Sequence, residues 1–518
     1  MGAMLPFRAA SVRGKLEPME DRQIHVNRRR LLQSALAGIG AVAARPSIVR
    51  AQDASQSSAP SALILARLLN KVTFDGLTPV AVKHAKMILA RTFASAAAGA
   101  QIGSARIIRD LAKDQGGRRD ATIWFDGAKL PVTEAARVNA MLSDAAASDD
   151  SDLRNVAHVG TCLTAVGLAM AERAAATGQD VLTAMVAGYE AAGRIGDALA
   201  ASANAGRGSG AISGNVGRGF HASSIVAFGG TVAAARLLRL TDEQMAQAIG
   251  ITATTMGGLS IGTNSWAREY HAGNAALCAV NASLAAGRGY TVNPDMLEAG
   301  GGFLAVFSGG KPEKGGVLAH EIGQQYQITR YLAVKLVPGA HALHPAVEAA
   351  INAAREGQVM PENVAKILVS GPQSRAVSGK PPKDMIEAIH SLSYYIASAV
   401  ADKDFSWAHA EPAMIQRPVI ARLIALVEQD PSPAPVHYDW SWGATVTIVT
   451  KSGERYKSTV DAPKGSAPRG IEWSDVDAKY RALMPQSKLP AARIEDILKL
   501  VHDFDQVKKV SQLTGLLG

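Results

Sequence analysis

Residues 219–251 read GFHASSIVAFGGTVAAARLLRLTDEQMAQAIGI. From 222 to 239, alanine, valine and leucine recur at three- and four-residue spacing, the pattern of a helix with a buried face. Thr241-Asp242-Glu243-Gln244 then forms a capping box, in which a hydroxyl and an amide side chain satisfy each other's backbone amides. The stretch predicts two consecutive helices, 222–239 and 242–250. The same spacing recurs at 61–70, 79–99, 133–147, 161–177, 181–203 and 271–287, so the chain from Ser61 to about Arg330 is predicted to be helical. Aromatic residues are only 5% of the chain, and the alanines and glycines that replace them let helices pack closely.

The character changes after Gln325. Val364–Val369 and Ala444–Thr450 (ATVTIVT) read as strands, and Ser452-Gly453 as a hairpin turn into a third, Arg455–Val460. Helices at 345–355, 384–401 and 415–428 accompany them, and Pro431, Pro433 and Pro435 mark a loop. Helical spacing returns after Trp473, with a helix at 491–503. The predicted fold is mainly α with an α+β second domain. A large helical domain comes from both ends of the chain (60–330 and 466–518), with a smaller α+β lid inserted at 331–465.

With 518 residues, 47% of them hydrophobic, the chain supports more than one domain. Its net charge of +9 is concentrated at the N-terminus, where residues 1–51 hold nine Lys/Arg and three Asp/Glu. No later stretch interleaves basic and aromatic residues as a nucleic-acid groove would, so no nucleic-acid partner is expected. No apolar run reaches the ~18–20 residues of a membrane-spanning helix. Asn27-Arg28-Arg29-Arg30-Leu31-Leu32-Gln33, a short apolar run to Ala44 and small residues up to Ala51 have the layout of a twin-arginine signal peptide. This reading makes 1–51 the signal, 52–59 a flexible linker, the twin-arginine translocase a partner during export, and the periplasm the destination, with no membrane attachment after cleavage. Cys162 and Cys278 read as small buried hydrophobes; an oxidising compartment permits a disulfide, but spacing does not bring them together. Two cysteines are too few to hold a four-iron cluster.

Four segments carry the chemistry: Gly219-Phe220-His221, Tyr270–Ala276 (YHAGNAA), Leu297–Phe303 (LEAGGGF) and Lys335–Pro345 (KLVPGAHALHP). Each sets a histidine, a lysine or a glycine turn beside helical sequence. A small polycarboxylate substrate calls for such groups, with cations to hold its carboxylates and a base to take a proton from carbon. Gly206–Gly219 holds six glycines without dinucleotide or P-loop spacing, so it reads as a mobile loop near the site or a plain connection. His341-x-x-His344 has the spacing of two metal ligands but no third, so no metal and no cofactor are expected.

In order and wording these segments resemble the MmgE/PrpD family, which includes 2-methylcitrate dehydratases and cis-aconitate decarboxylases. Gly188-Tyr189-Glu190-Ala191, the 219–251 run and Ile471–Val476 extend the resemblance over about residues 60–515. It implies a cleft between helical domain and lid as the active site, and a homodimer. Carried over residue by residue, it implies His158, Asp150, Lys335 and Tyr394 as catalytic groups. It implies Arg268, His221, His341, His344, Ser151 and Asp149 as substrate-binding groups. In two places the chain departs from the family pattern. Ala147 stands where a leading aspartate is usual, and Arg268 where a lysine is usual; a guanidinium keeps the charge but exchanges no proton near neutral pH. The expected function is a cofactor-free lyase on a small di- or tricarboxylate, of 2-methylcitrate dehydratase type. The alternatives are a cis-aconitate decarboxylase-like enzyme, a carboxylate epimerase and a non-catalytic periplasmic polycarboxylate-binding protein.

Overall fold

The computed structural model describes residues 59–204 and 219–518, apart from 321, 323 and 324. The Arg28–Leu32 segment read as an export signal and nearly all of the glycine-rich 206–219 segment lie outside the described residues. Long helices dominate the first part of the chain, and local chemistry explains where they start. Thr78 accepts from the Ala81 amide and Pro79 occupies the first position of helix Pro79–Gly99. The Thr241–Gln244 capping box forms as the sequence predicts and opens helix Asp242–Thr255. Where helices Gly178–Asn204 and Ser223–Leu237 cross, a Cβ on Gly188 would come within 2.5 Å of the Gly229 carbonyl. The close crossing therefore depends on glycine.

Hydrophobic residues gather around separate centres. One core draws on residues from Ala62 to Val334 and again from Ile471 to Leu517, so the last helices pack among the first. Another draws on Leu343 to Val460. A small cluster of Leu153, Ala333 and Trp442 stands apart from both. None of the described helices is long and apolar enough to cross a membrane.

In the second core a four-stranded sheet runs in the order Val427–Gln429, Val364–Ser370, Ala444–Thr450, Arg455–Val460. The predicted hairpin is present, with Gly453 at φ 89° in its turn. Two predicted helices differ from the structure. Instead of one helix at 415–428 there are two short ones, Pro412–Ile415 and Pro418–Ile424, then a strand parallel to Ile367–Val369. Pro418 has no amide to continue the ladder and biases Arg417 out of the helical region. The predicted 384–401 helix splits into Met385–Ala388 and Leu392–Asp402 because Ser391 caps the second part by accepting from the Tyr394 amide. His390 falls in the break.

A three-residue ladder positions the site. Asp150–Asp152 pairs antiparallel with Leu332–Val334 in the register Asp150↔Val334. Asp149 and Lys335, one step beyond that pair on either strand, therefore meet.

Candidate active site

Helix Val132–Ala145 delivers Asp144 at its last turn. The chain then turns through Ala147, at φ 49°, whose carbonyl accepts from the Gly339 amide and from Lys335 Nζ at 3.1 and 3.3 Å. His158 sits at the N-terminal boundary of helix Val159–Ala174. Its Nδ1 lies 2.8 Å from Asp144 Oδ1 and 2.8 Å from Asp149 Oδ2. Both carboxylates use the same ring nitrogen, which leaves Nε2 for a bound molecule. Lys335 Nζ is 3.0 Å from Asp149 Oδ1, and the Thr161 hydroxyl donates to Asp149 Oδ2 at 2.9 Å. Arg268 Nε is 3.3 Å from Asp144 Oδ2, while its Nη2 donates to the Asp144 and Ala145 carbonyls.

These groups face a cavity of about 300 Å³ lined by His158, His221, Arg268, Lys335, His341 and His390, with Trp442, Gln373 and Ala147 among the other walls. The volume suits a small molecule. Burial disfavours charge on Asp149, but His158 and then Lys335 outweigh it and hold the carboxyl well below the usual carboxylate range. At Asp144, burial is likewise outweighed by Arg268 and His158. Burial pulls the His158 imidazole down and Asp149 more than restores it, so its pKa lies above the ordinary 6.5. The other imidazoles go the opposite way. Burial pushes His221 and His390 down to about 4 and His341 well below 6.5, with His344 and Lys335 adding to the last. The site thus pairs one protonated imidazole with several neutral ones.

Of the residues expected from sequence, His158, His221, Arg268, Lys335 and His341 line the cavity. Asp149 lies just behind it, fully buried, bridging His158 and Lys335. The rest differ from expectation. Asp150 is fully buried, paired with Arg91 at 3.0 Å, and accepts from the Gly160 amide at the start of the next helix, so it anchors that helix and touches no substrate space. Ser151 is buried in the ladder with its hydroxyl unbonded, away from the cavity. The Tyr394 hydroxyl donates to the His409 carbonyl at 2.6 Å inside the second hydrophobic core and so cannot be the proton-transfer partner of His158. His344 opens onto a different cavity. The cysteines are both free thiols.

Asp144 and His390 were missed by the sequence reading. Asp144 lies three positions before Ala147, and it returns a carboxylate to the site from a neighbouring turn. The signal was a buried-face acid in the last turn of helix Val132–Ala145, next to Ser143 and just before the Ala147 turn. His390 becomes visible once Ser391 is recognised as a helix cap. Asp144, Asp149 and His158 offer ligand atoms within 4.8 Å of one another, a spacing a metal ion accepts. Arg268 and Lys335 already neutralise the two carboxylates, which makes the group a hydrogen-bonded charge cluster rather than a cation cage.

Profiles of the MmgE/PrpD N-terminal domain and the MmgE/PrpD C-terminal domain match residues 64–315 and 338–503. The chain belongs to the MmgE/PrpD family. Among curated relatives it is similar to the cis-aconitate decarboxylase of Homo sapiens, 23% identical over 453 residues that cover 85% of this chain and 91% of that protein. The cis-aconitate decarboxylase of Mus musculus is 25% identical, covering 77% and 81%, and that of Aspergillus terreus 24% identical, covering 76% and 82%. These relatives are lyases, in keeping with a lyase-like function for this member of the family.

The low pKa values of the neutral histidines fix how stability depends on pH. His221 and His390 titrate near 6.5 when unfolded and about 4 when folded, so below pH 6.5 the unfolded chain takes up protons the folded chain refuses. Their contribution to stability is therefore expected to be full above pH 6.5 and to fall as the pH drops towards 4, whereas that of His158, whose pKa is raised, is full below pH 6.5 and is lost as the pH rises past its folded value. A melting temperature measured from pH 8 to 4 checks this; a flat profile across that window would show that these rings are not held neutral.

Proposed function

We propose that this MmgE/PrpD member is a cofactor-free lyase that decarboxylates a small unsaturated di- or tricarboxylate of the cis-aconitate kind. The reading is carried by His158, pinned between two carboxylates and raised above pH 6.5, beside two cations on one small cavity. Loss of carbon dioxide breaks a C–C bond and leaves an electron pair on carbon. Arg268 and Lys335 would hold the remaining carboxylates and spread that charge, and His158 Nε2–H would deliver the proton. This chemistry needs one acid and no strong base. Dehydration needs both, and the other cavity imidazoles are weak bases because burial lowers them. The names of the human, mouse and fungal relatives support the same choice.

A second reading, 2-methylcitrate dehydratase-like elimination, is favoured by His341, whose two ring nitrogens are both unbonded and which would serve as the base. Export to the periplasm and a homodimeric state belong to the same proposal. The test is a reaction in heavy water with cis-aconitate and, separately, 2-methylcitrate. The decarboxylase reading expects carbon dioxide and one deuterium on the product carbon. Water loss from 2-methylcitrate without carbon dioxide would select the dehydratase. Saturable binding of both acids without turnover would mark a binding protein.

A further inference from the structure

A second cavity, about 540 Å³, lies on the far side of the Lys335–His344 segment and shares no lining residue with the first. Lys335, Ala340 and His341 face one space, and Leu336, Val337 and His344 face the other. Val347, Ile351, Phe405 and Trp407 give the second cavity apolar walls from the lid, and Lys479 reaches it from helix Trp473–Leu483.

Two of its polar groups are more than nine-tenths buried and lack the partners their chemistry calls for. His344, 6% exposed, has Nε2 without a hydrogen bond. Lys479, 3% exposed, donates to the Ser148 carbonyl and lies over the Trp407 ring at 5.2 Å. The buried acids beside it are already taken, Asp150 by Arg91 and Asp149 by Lys335. Arg91 and Lys335 thus take the two buried carboxylates, and the Lys479 amine is left without one. Burial, and then Arg91, push its amine well below the usual lysine range. Of the acids at the cavity edge, Glu348 pairs with Arg469 and Asp475 with Lys464, while Asp404 is exposed at the rim. A buried amine with no carboxylate partner at the edge of an apolar chamber describes a receptor for an amphipathic anion.

We propose that this second cavity binds a small organic monocarboxylate with an apolar body, its carboxylate accepting from the Lys479 amine and its body lying against Val347, Phe405 and Trp407. The carboxylate supplies the missing counter-charge, and the apolar walls exclude water from the pair. The site is independent of the reaction proposed for the first cavity. Ser148, which holds Lys479, directly precedes Asp149, so occupancy reports next to the catalytic charge cluster.

The probe is 3-phenylpropanoate, titrated calorimetrically into the full chain, with 3-phenylpropanamide as the uncharged control. The acid is expected to bind saturably and the amide at least about 10-fold more weakly, the loss of one charge-assisted hydrogen bond. Lys479→Met is expected to weaken the acid by a similar factor. Because removing a buried lysine can disturb folding, Ala482→Trp, at an exposed position on the cavity rim, provides a second block and is expected to abolish binding at an unchanged melting temperature. No saturable binding by the unmodified chain overturns the proposal. So does an amide that binds as tightly as the acid, or acid binding that survives Ala482→Trp.

Discussion

Replacing His158 with glutamine is expected to lower turnover of the cognate carboxylate by about 10²- to 10⁴-fold, the usual contribution of a positioned proton donor. Glutamine keeps a polar group of similar reach between Asp144 and Asp149 but carries no titratable proton. The loss should therefore fall on kcat more than on KM, because Arg268 and Lys335 still hold the substrate. The pH profile supplies the second readout. An imidazolium donor raised above 6.5 works in its protonated form, so activity should hold through pH 6.5 and decline only as the pH rises past the elevated pKa. In the His158→Gln variant that alkaline decline should disappear from the residual activity. A variant that keeps full kcat would remove His158 from the reaction.

The largest effect on stability is expected at Lys335. The side chain is 1% exposed and neutralises Asp149, which is fully buried. Lys335→Met leaves that carboxylate to His158 and the Thr161 hydroxyl alone, and removing one partner of a buried pair costs up to about 3–5 kcal/mol. A cation clamp alone would predict a folded protein with weak binding; the ion pair predicts a lower melting temperature as well. The double variant Lys335→Met/Asp149→Asn removes both charges and should recover much of the stability while remaining inactive. Denaturant melts of the two single variants and the double one close the cycle. Additive losses would mean that Lys335 and Asp149 do not depend on one another.

The helices were legible because alanine and leucine spacing is a local signal and their caps are local too. Thr241 and Gln244 announce a boundary from within four residues. The sheet was legible where β-branched residues alternate around a glycine turn, and illegible at Val427–Gln429, where three residues owe their strand to the neighbour at Ile367–Val369. The site divided along the same line. His158, Lys335 and Arg268 sit in segments whose wording resembles the family, and they line the cavity. Asp150, Ser151 and Tyr394 carry equally suggestive side chains, but Arg91, the ladder and the His409 carbonyl claim them, and those partners lie far away in sequence or around a helix turn. Asp144 shows the converse. A carboxylate shifted by one helical turn from its expected position still reaches His158, because the turn through Ala147 folds the helix end back over it.

The ladder between Asp150–Asp152 and Leu332–Val334 also sets an order of events during synthesis. Asp149 and Lys335 are 186 residues apart. A nascent chain that has not yet reached residue 335 contains His158, Asp144 and Asp149 but lacks the ammonium that makes burying them tolerable. That partial chain is expected to keep the acidic segment in water and its first helices only loosely joined, since such distant pairings close late. The first helices therefore cannot close over this segment until residue 335 has been made. The same short ladder that builds the reaction centre holds back the completed fold until most of the chain has been made.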